Sequence, residues 1–200
     1  MGCDIHIYLE NKKTVEGKEK WVSADVYKKN RYYDEDDKYE KEFEFVEIYQ
    51  DRDYSLFSLL ADVRNYSKNE PISKPRGIPS DCCKEIMEEY ERWGEDGHSH
   101  SYYTLKELLE YQSKQVPVKY SGLVDDEGVK EIEKGNMPKY WCQWSSNEKL
   151  TYKEWEFKED KLKPIIDKIY DRLKELWFYY TDEDITKDAE KIRIVFWFDN

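Results

Sequence analysis

All three histidines of this 200-residue chain fall in two short motifs, Asp4-x-His6 and His98-x-His100. Residues two apart in an extended segment share a face, so Asp4 and His6 would project together as an oxygen and a nitrogen. His98 and His100, in a Gly-flanked loop, would add two more nitrogens. Asp4, His6, His98 and His100 then make an O/N set suited to zinc, manganese or iron. Asp-x-His also opens the calcineurin-like phosphoesterase pattern, but the later Gly-Asp and Gly-Asn-His pieces are missing. The plainer reading makes His6 a satisfied core or pocket residue and the Ser-flanked pair loop hydrogen-bonders.

Arginines supply a second constellation. Arg64, followed by Asn65, would end a short helix, and Arg76 sits in a loop braced by Pro71, Pro75 and Pro79. A stiffened loop loses less entropy in holding a guanidinium fork, and that fork suits phosphate or carboxylate. The competing reading pairs both arginines with acids such as Asp62 and Asp81. Tyr54, Phe57, Tyr66, Tyr102 and Tyr103 would stack on a ligand ring or simply fill the core. Cys82-Cys83 has only Lys84 as a basic neighbour, which favours inert burial over a reactive thiol. Ser99 and Ser101 beside histidines form no triad signature.

These residues need elements to position them. Cys3 to Leu9 alternates cleanly, placing Asp4, His6 and Tyr8 on one side of a strand and Cys3, Ile5, Ile7 and Leu9 on the other. Trp21–Tyr27, Phe43–Tyr49, Tyr140–Trp144 and Tyr152–Phe157 are further strand candidates, and Asn30 to Lys41 is a polar loop. Leu56–Val63 reads as a short helix. Ser80 or Asp81 caps another helix running to Trp93, with Gly94 as its stop. Thr104 and Glu107 have capping-box spacing. The strongest helix spans 160–179, with Leu162, Ile165, Ile166, Ile169, Leu173, Leu176, Trp177 and Tyr180 on its apolar face. Ile192–Asp199 is apolar on both faces and belongs inside a sheet. Strands and helices without βα alternation predict an α+β fold, a mixed sheet holding both terminal strands against a few helices. One domain over 1–200 is expected, with a peripheral insertion at about 113–160.

Composition bounds the function. Hydrophobic residues are 38% and charged residues 39%, a disorder-like balance, but seven Trp, 18 Tyr and seven Phe supply a large-area core. The formal net charge of −12 opposes general binding to nucleic acid. A local basic pocket is compatible with it, as is mimicry of a phosphate ladder by Asp34–Asp37, Asp125–Glu127 and Asp182–Asp184. The plainer reading of those runs is a solvated face. No apolar run approaches the roughly 20 residues of a membrane span, and no secretory signal opens the chain. Met1-Gly2-Cys3 fails as a lipidation signal, because His6 stands where Ser or Thr is needed. Four cysteines without C-x-x-C spacing suit reduced thiols in the cytoplasm.

The pieces Met1-Gly2-Cys3-Asp4-Ile5-His6, Val63-Arg64-Asn65, Pro71-Ile72-Ser73-x-Pro75-Arg76-Gly77, His98-Ser99-His100-Ser101 and Ile194-Val195-Phe196-Trp197-Phe198-Asp199-Asn200 resemble a family of small phage and prophage proteins. The resemblance implies phage origin and the cytoplasm of an infected or lysogenic bacterium. It brings no reaction and no catalytic residue. Phage accessory proteins often counter host defences, some by capturing nucleotide signals. The leading expectation is therefore a sponge for an anionic, nucleotide-like small molecule. His6, Arg64, Asn65, Arg76, His98, His100 and Tyr102 would line its pocket, with no cofactor assigned and a homo-oligomer expected. The alternatives are a metal-dependent phosphoester hydrolase, using a divalent ion on Asp4, His6, His98 and His100, and an acidic protein inhibitor of a host nuclease.

Overall fold

The computed structural model describes residues 2–36, 42–176, 178 and 184–200. Eight strands and five helices are defined among them: β1 Asp4–Val15, β2 Lys18–Ser23, β3 Val26–Lys29, β4 Phe43–Val46, α1 Tyr54–Ala61, α2 Lys84–Trp93, β5 His98–Thr104, α3 Leu105–Ser113, β6 Val118–Val124, α4 Asp126–Glu133, β7 Thr151–Phe157, α5 Lys163–Glu175 and β8 Ile192–Asp199. The fold is α+β. Contacts divide the chain into two units, one formed by Met1–Arg52, Pro75–Glu110 and Lys163–Asn200, the other by Asp53–Lys74 and Tyr111–Leu162. No helix among the described residues is long and apolar enough to cross a membrane.

The first unit is built on a four-stranded sheet of order β2-β1-β8-β5, antiparallel at every pairing. Both terminal strands lie inside it, as the apolar Ile194–Phe198 run requires: Ile194 through Phe198 are all fully buried. Register sorts the side chains. Asp4, His6, Tyr8 and Glu10 stand opposite Asp199, Trp197, Val195 and Arg193 on one face. Ile5, Ile7 and Leu9 stand opposite Phe198, Phe196 and Ile194 on the other. Helix α2 covers the His6 face, where Cys83 and Ile86 pack with Tyr8, Val195 and Trp197, joined by Phe45, Tyr90, Trp93 and Tyr102.

Several elements depart from the pattern read in sequence. Trp21–Tyr27 is not one strand, because Ala24 donates its amide to the Leu9 carbonyl and Asp25 accepts the Leu9 amide through its carboxylate. Those bonds turn the chain off the sheet, and Val26–Lys29 pairs instead with β4. His98-x-His100 is not a loop but the start of β5. The long helix is shorter than 160–179, and Trp177, Tyr179 and Tyr180 lie outside the described residues, as do Asp37–Lys41 and Thr181–Glu183. Its stripe is as expected, with Ile165, Ile166, Ile169 and Leu173 buried.

In the second unit, β6 and β7 form an antiparallel ribbon over a cluster of Leu59, Val118, Tyr120, Val124 and Trp155. The expected strand at Tyr140–Trp144 contributes a single bridge, Cys142 to Leu123. Neither β6 nor α4 stood out in the sequence. Asp53 caps α1 by accepting the amides of Ser55 and Leu56.

Candidate functional site

A pocket of about 390 Å³ opens on the His6 face of the first unit. The alternation of β1 supplies its floor, His6 and Tyr8, and the β3–β4 ribbon supplies Lys28, Asn30, Phe43, Glu44 and Phe45. Glu47 and Gln50 follow β4. Glu89, Arg92 and Trp93 come from α2, three positions that share a helix face through i, i+3 and i+4 spacing. The walls are aromatic: Phe45 stacks on Tyr8 at 4.5 Å, and the Trp93 ring lies 4.1 Å from that of His6. Burial, first of all, keeps the Tyr8 phenol protonated well above its ordinary range.

The ionic groups of this pocket are matched to one another. Glu89, almost wholly buried, accepts from Arg92 at 2.5 and 3.0 Å. His6 sets Nδ1 at 3.2 Å from Glu47 and Nε2 at 3.5 Å from Asp199. Lys28 faces Glu44 at 3.6 Å. Beside the pocket lies a second hollow of about 550 Å³, lined by Lys28, Lys29, Asn30, Arg31 and Tyr33. The two share Lys28 and Asn30. Lys28, Lys29 and Arg31 thus adjoin an aromatic-walled pocket in a chain whose formal charge is −12, with Lys29 facing Glu42 at 3.5 Å as Lys28 faces Glu44.

Of the residues singled out in sequence, only His6 lines this pocket. Asp4 is held by both nitrogens of the Arg52 fork, which lowers its carboxyl below the ordinary range. Arg76 meets Glu107 at 2.7 Å, donates to the Tyr102 carbonyl at 3.3 Å and lies over the Tyr103 ring. Asn65 belongs to the second unit, where its amide bonds Asp62 and the Asn69 carbonyl while its oxygen accepts the Asn69 amide. Arg64, in the same turn, has a left-handed backbone with φ 50° and accepts the Tyr66 amide. Asp81 pairs with Arg193, not with Arg64 or Arg76.

A bulge separates the paired histidines. His98 stands opposite Phe198 and Ser101 opposite Phe196, one residue more than regular pairing allows, with Ser99 left-handed at φ 53°. His98 therefore stacks on Phe198, and its Nδ1 meets the Ser99 hydroxyl at 3.0 Å. His100 turns to the opposite face, packing edge-on against Tyr90 and beside Trp197. Burial lowers the His100 pKa, with the neighbouring His98 adding to the effect. Tyr102 stands on the His6 face, opposite Val195. Among the described residues, no three His, Cys, Asp or Glu side chains are grouped to hold a metal ion. The Asp4, His6, His98 and His100 set is thus not assembled as a ligand cluster.

No protein-family model, curated protein or solved structure matches the chain. The site stands on its geometry.

The motif pieces do meet, in a structural role. Gly77 donates its amide to the His100 carbonyl at 2.9 Å, and the Arg76 amide meets the Ser101 hydroxyl at 3.3 Å. The Pro-braced loop thereby covers the outer edge of β5, which would otherwise present unpaired backbone groups. Next to it, Glu10 and Arg193 form a buried pair across β1 and β8, with Glu10 also accepting the Cys83 amide at 2.6 Å. Arg193 continues to Asp81, which accepts the Trp21 indole N–H. This chain of bonds fixes the start of α2 on the sheet and so sets the position of Glu89, Arg92 and Trp93.

Proposed function

We propose that the protein binds a nucleotide-like small molecule, its ring held against Phe45 and Trp93 and its anionic end directed to Lys28, Lys29 and Arg31. The observation that carries this reading is the junction of the two hollows, aromatic on one side and basic on the other, with Lys28 and Asn30 common to both. Aromatic faces stack on any base, and guanidinium and ammonium groups suit phosphate. Asn30, Gln50 and Glu47 offer the mixture of donors and acceptors that a base edge needs. Two of the pocket acids, Glu89 and Glu44, meet Arg92 and Lys28, which offsets part of the negative charge a bound anion would face, with Lys28 shared between Glu44 and the ligand.

The same mutual pairing suits holding a ligand over transforming it. In the phage setting that the sequence resemblance implies, such a protein would sequester a nucleotide signal of its bacterial host, in the cytoplasm. A thermal-shift screen of mononucleotides, cyclic dinucleotides and ADP-ribose-type compounds tests this. The reading expects at least one to raise the melting temperature and to be recovered intact after heat release. A flat screen, or recovery of a hydrolysed product, would overturn it.

A further inference from the structure

The three carboxylates that line the aromatic pocket are not equivalent. Glu89 is almost wholly buried and takes the Arg92 guanidinium, and Glu44 faces Lys28. Glu47 lines the same pocket with its side chain 28% exposed. Its Oε1 lies 3.2 Å from His6 Nδ1, and among the described residues it meets no other hydrogen-bond or ion-pair partner. His6 in turn packs its ring against Trp93. The imidazole therefore ties one oxygen of Glu47 to the indole wall and leaves the other oxygen, Oε2, to a ligand beside that wall.

What such a group selects follows from its chemistry. An ionised carboxylate only accepts, and its two oxygens suit two donors set side by side. Of the common nucleobases, guanine alone presents that pair on its pairing edge, N1–H next to the 2-amino group. Adenine and cytosine set an amino group beside an acceptor nitrogen, and uracil sets its N–H between two carbonyls. Each of these turns a lone pair toward the carboxylate, which repels it. Guanine also carries the acceptor O6 beside N1–H. Gln50 and Asn30 line the same pocket with amide donors, and the Asn30 oxygen is already held by the Tyr32 amide, which leaves its NH2 group to donate.

We propose that the ligand of this pocket carries guanine, and that Glu47 selects it by accepting N1–H and the 2-amino group. The inference rests on the nucleotide reading above and narrows it to guanine nucleotides. The carboxylate that opposes a phosphate inside the pocket favours this donor edge, and the phosphate is left to Lys28, Lys29 and Arg31.

Isothermal titration calorimetry tests it with GMP, IMP and AMP, and with cyclic di-GMP against cyclic di-AMP. IMP keeps N1–H and lacks the 2-amino group. The guanine compound should bind about a hundredfold more tightly than its adenine counterpart, with IMP about tenfold below GMP. Glu47→Gln keeps an oxygen for His6 but puts a donor where an acceptor stood. It should lower guanine affinity about tenfold or more and bring the guanine-to-adenine ratio toward one, with the circular dichroism spectrum unchanged. Adenine compounds bound as tightly as guanine ones, or a ratio indifferent to Glu47→Gln, would overturn the inference while the nucleotide reading stands. Absence of binding by all of these compounds would also overturn it, and a flat response across the wider nucleotide panel would overturn both.

Discussion

The indole of Trp93 lies over the imidazole of His6, ring centres 4.1 Å apart and planes tilted by 35°. His6 meanwhile directs its nitrogens toward Glu47 and Asp199. The indole and the two carboxylates together hold the imidazole ring in place on the pocket floor. Trp93 is the wall that a ligand would touch.

From this comes the first expected outcome. Trp93→Ala should weaken nucleotide binding by about 1–3 kcal/mol, the worth of one base–aromatic stack, with Trp93→Phe retaining most of the affinity. Isothermal titration calorimetry measures both. Equal loss in the two variants would show that stacking is not the contribution of this residue.

The two groups of cations should behave differently. Arg76 meets Glu107 and the Tyr102 carbonyl, outside the lining of either hollow. Arg76→Ala should leave ligand affinity within about twofold, whereas Lys28→Ala and Arg31→Ala should each lower it and flatten its dependence on salt. Titrations at two ionic strengths distinguish them, and a large loss from Arg76→Ala alone would move the site to the β5 edge.

The Glu10–Arg193 pair makes a stability prediction. Glu10 is fully buried and Arg193 is 4% exposed, so removing one leaves the other charged and without its main partner. Arg193→Met should cost about 3–5 kcal/mol in urea unfolding, and the double change Glu10→Gln with Arg193→Met should recover much of that. A double variant no more stable than the single one would contradict this account of the pair.

Asp25 gives the fold a pH dependence. Burial pushes its carboxyl from the ordinary 3.8 up to about 8, against the opposing pull of the Leu9 amide and the Arg172 charge. Between those values the folded chain holds a proton that the unfolded chain has released. This contribution is therefore complete below about pH 4 and is lost as pH rises toward 8, at no more than about 1.4 kcal/mol per pH unit. Comparing wild type with Asp25→Asn across pH 5 to 8 isolates it from other carboxylates. The variant should show a flatter profile and higher stability at the alkaline end; parallel profiles would contradict the assignment.

Much of this architecture can be read from residue order. The alternation from Cys3 to Leu9 puts Asp4, His6 and Tyr8 on one face of β1, as the register shows, and the Ile192–Asp199 run identifies a buried central strand. The capping box at Thr104 also forms, with the Thr104 amide bonding Glu107 and the Glu107 amide bonding the Thr104 hydroxyl. The site was less legible because partner choice is a tertiary property. Nothing local says that Asp81 meets Arg193 across 112 positions, or that Arg76 meets Glu107. The Gly-flanked His98–His100 segment reads as a loop, yet it pairs with β8, and the bulge at Ser99 turns the two rings to opposite faces. Glu89, Arg92 and Trp93 do carry a signal, three positions on one helix face. They become a pocket wall only because Glu10 and Arg193 anchor the start of α2.

Native mass spectrometry of wild-type and Trp93→Ala protein, each incubated with an equimolar panel of nucleotides, tests the central claim most directly. The account predicts one nucleotide class retained by the wild type at one ligand per chain and lost from the variant. Bare wild-type protein, or equal retention by both, would contradict it.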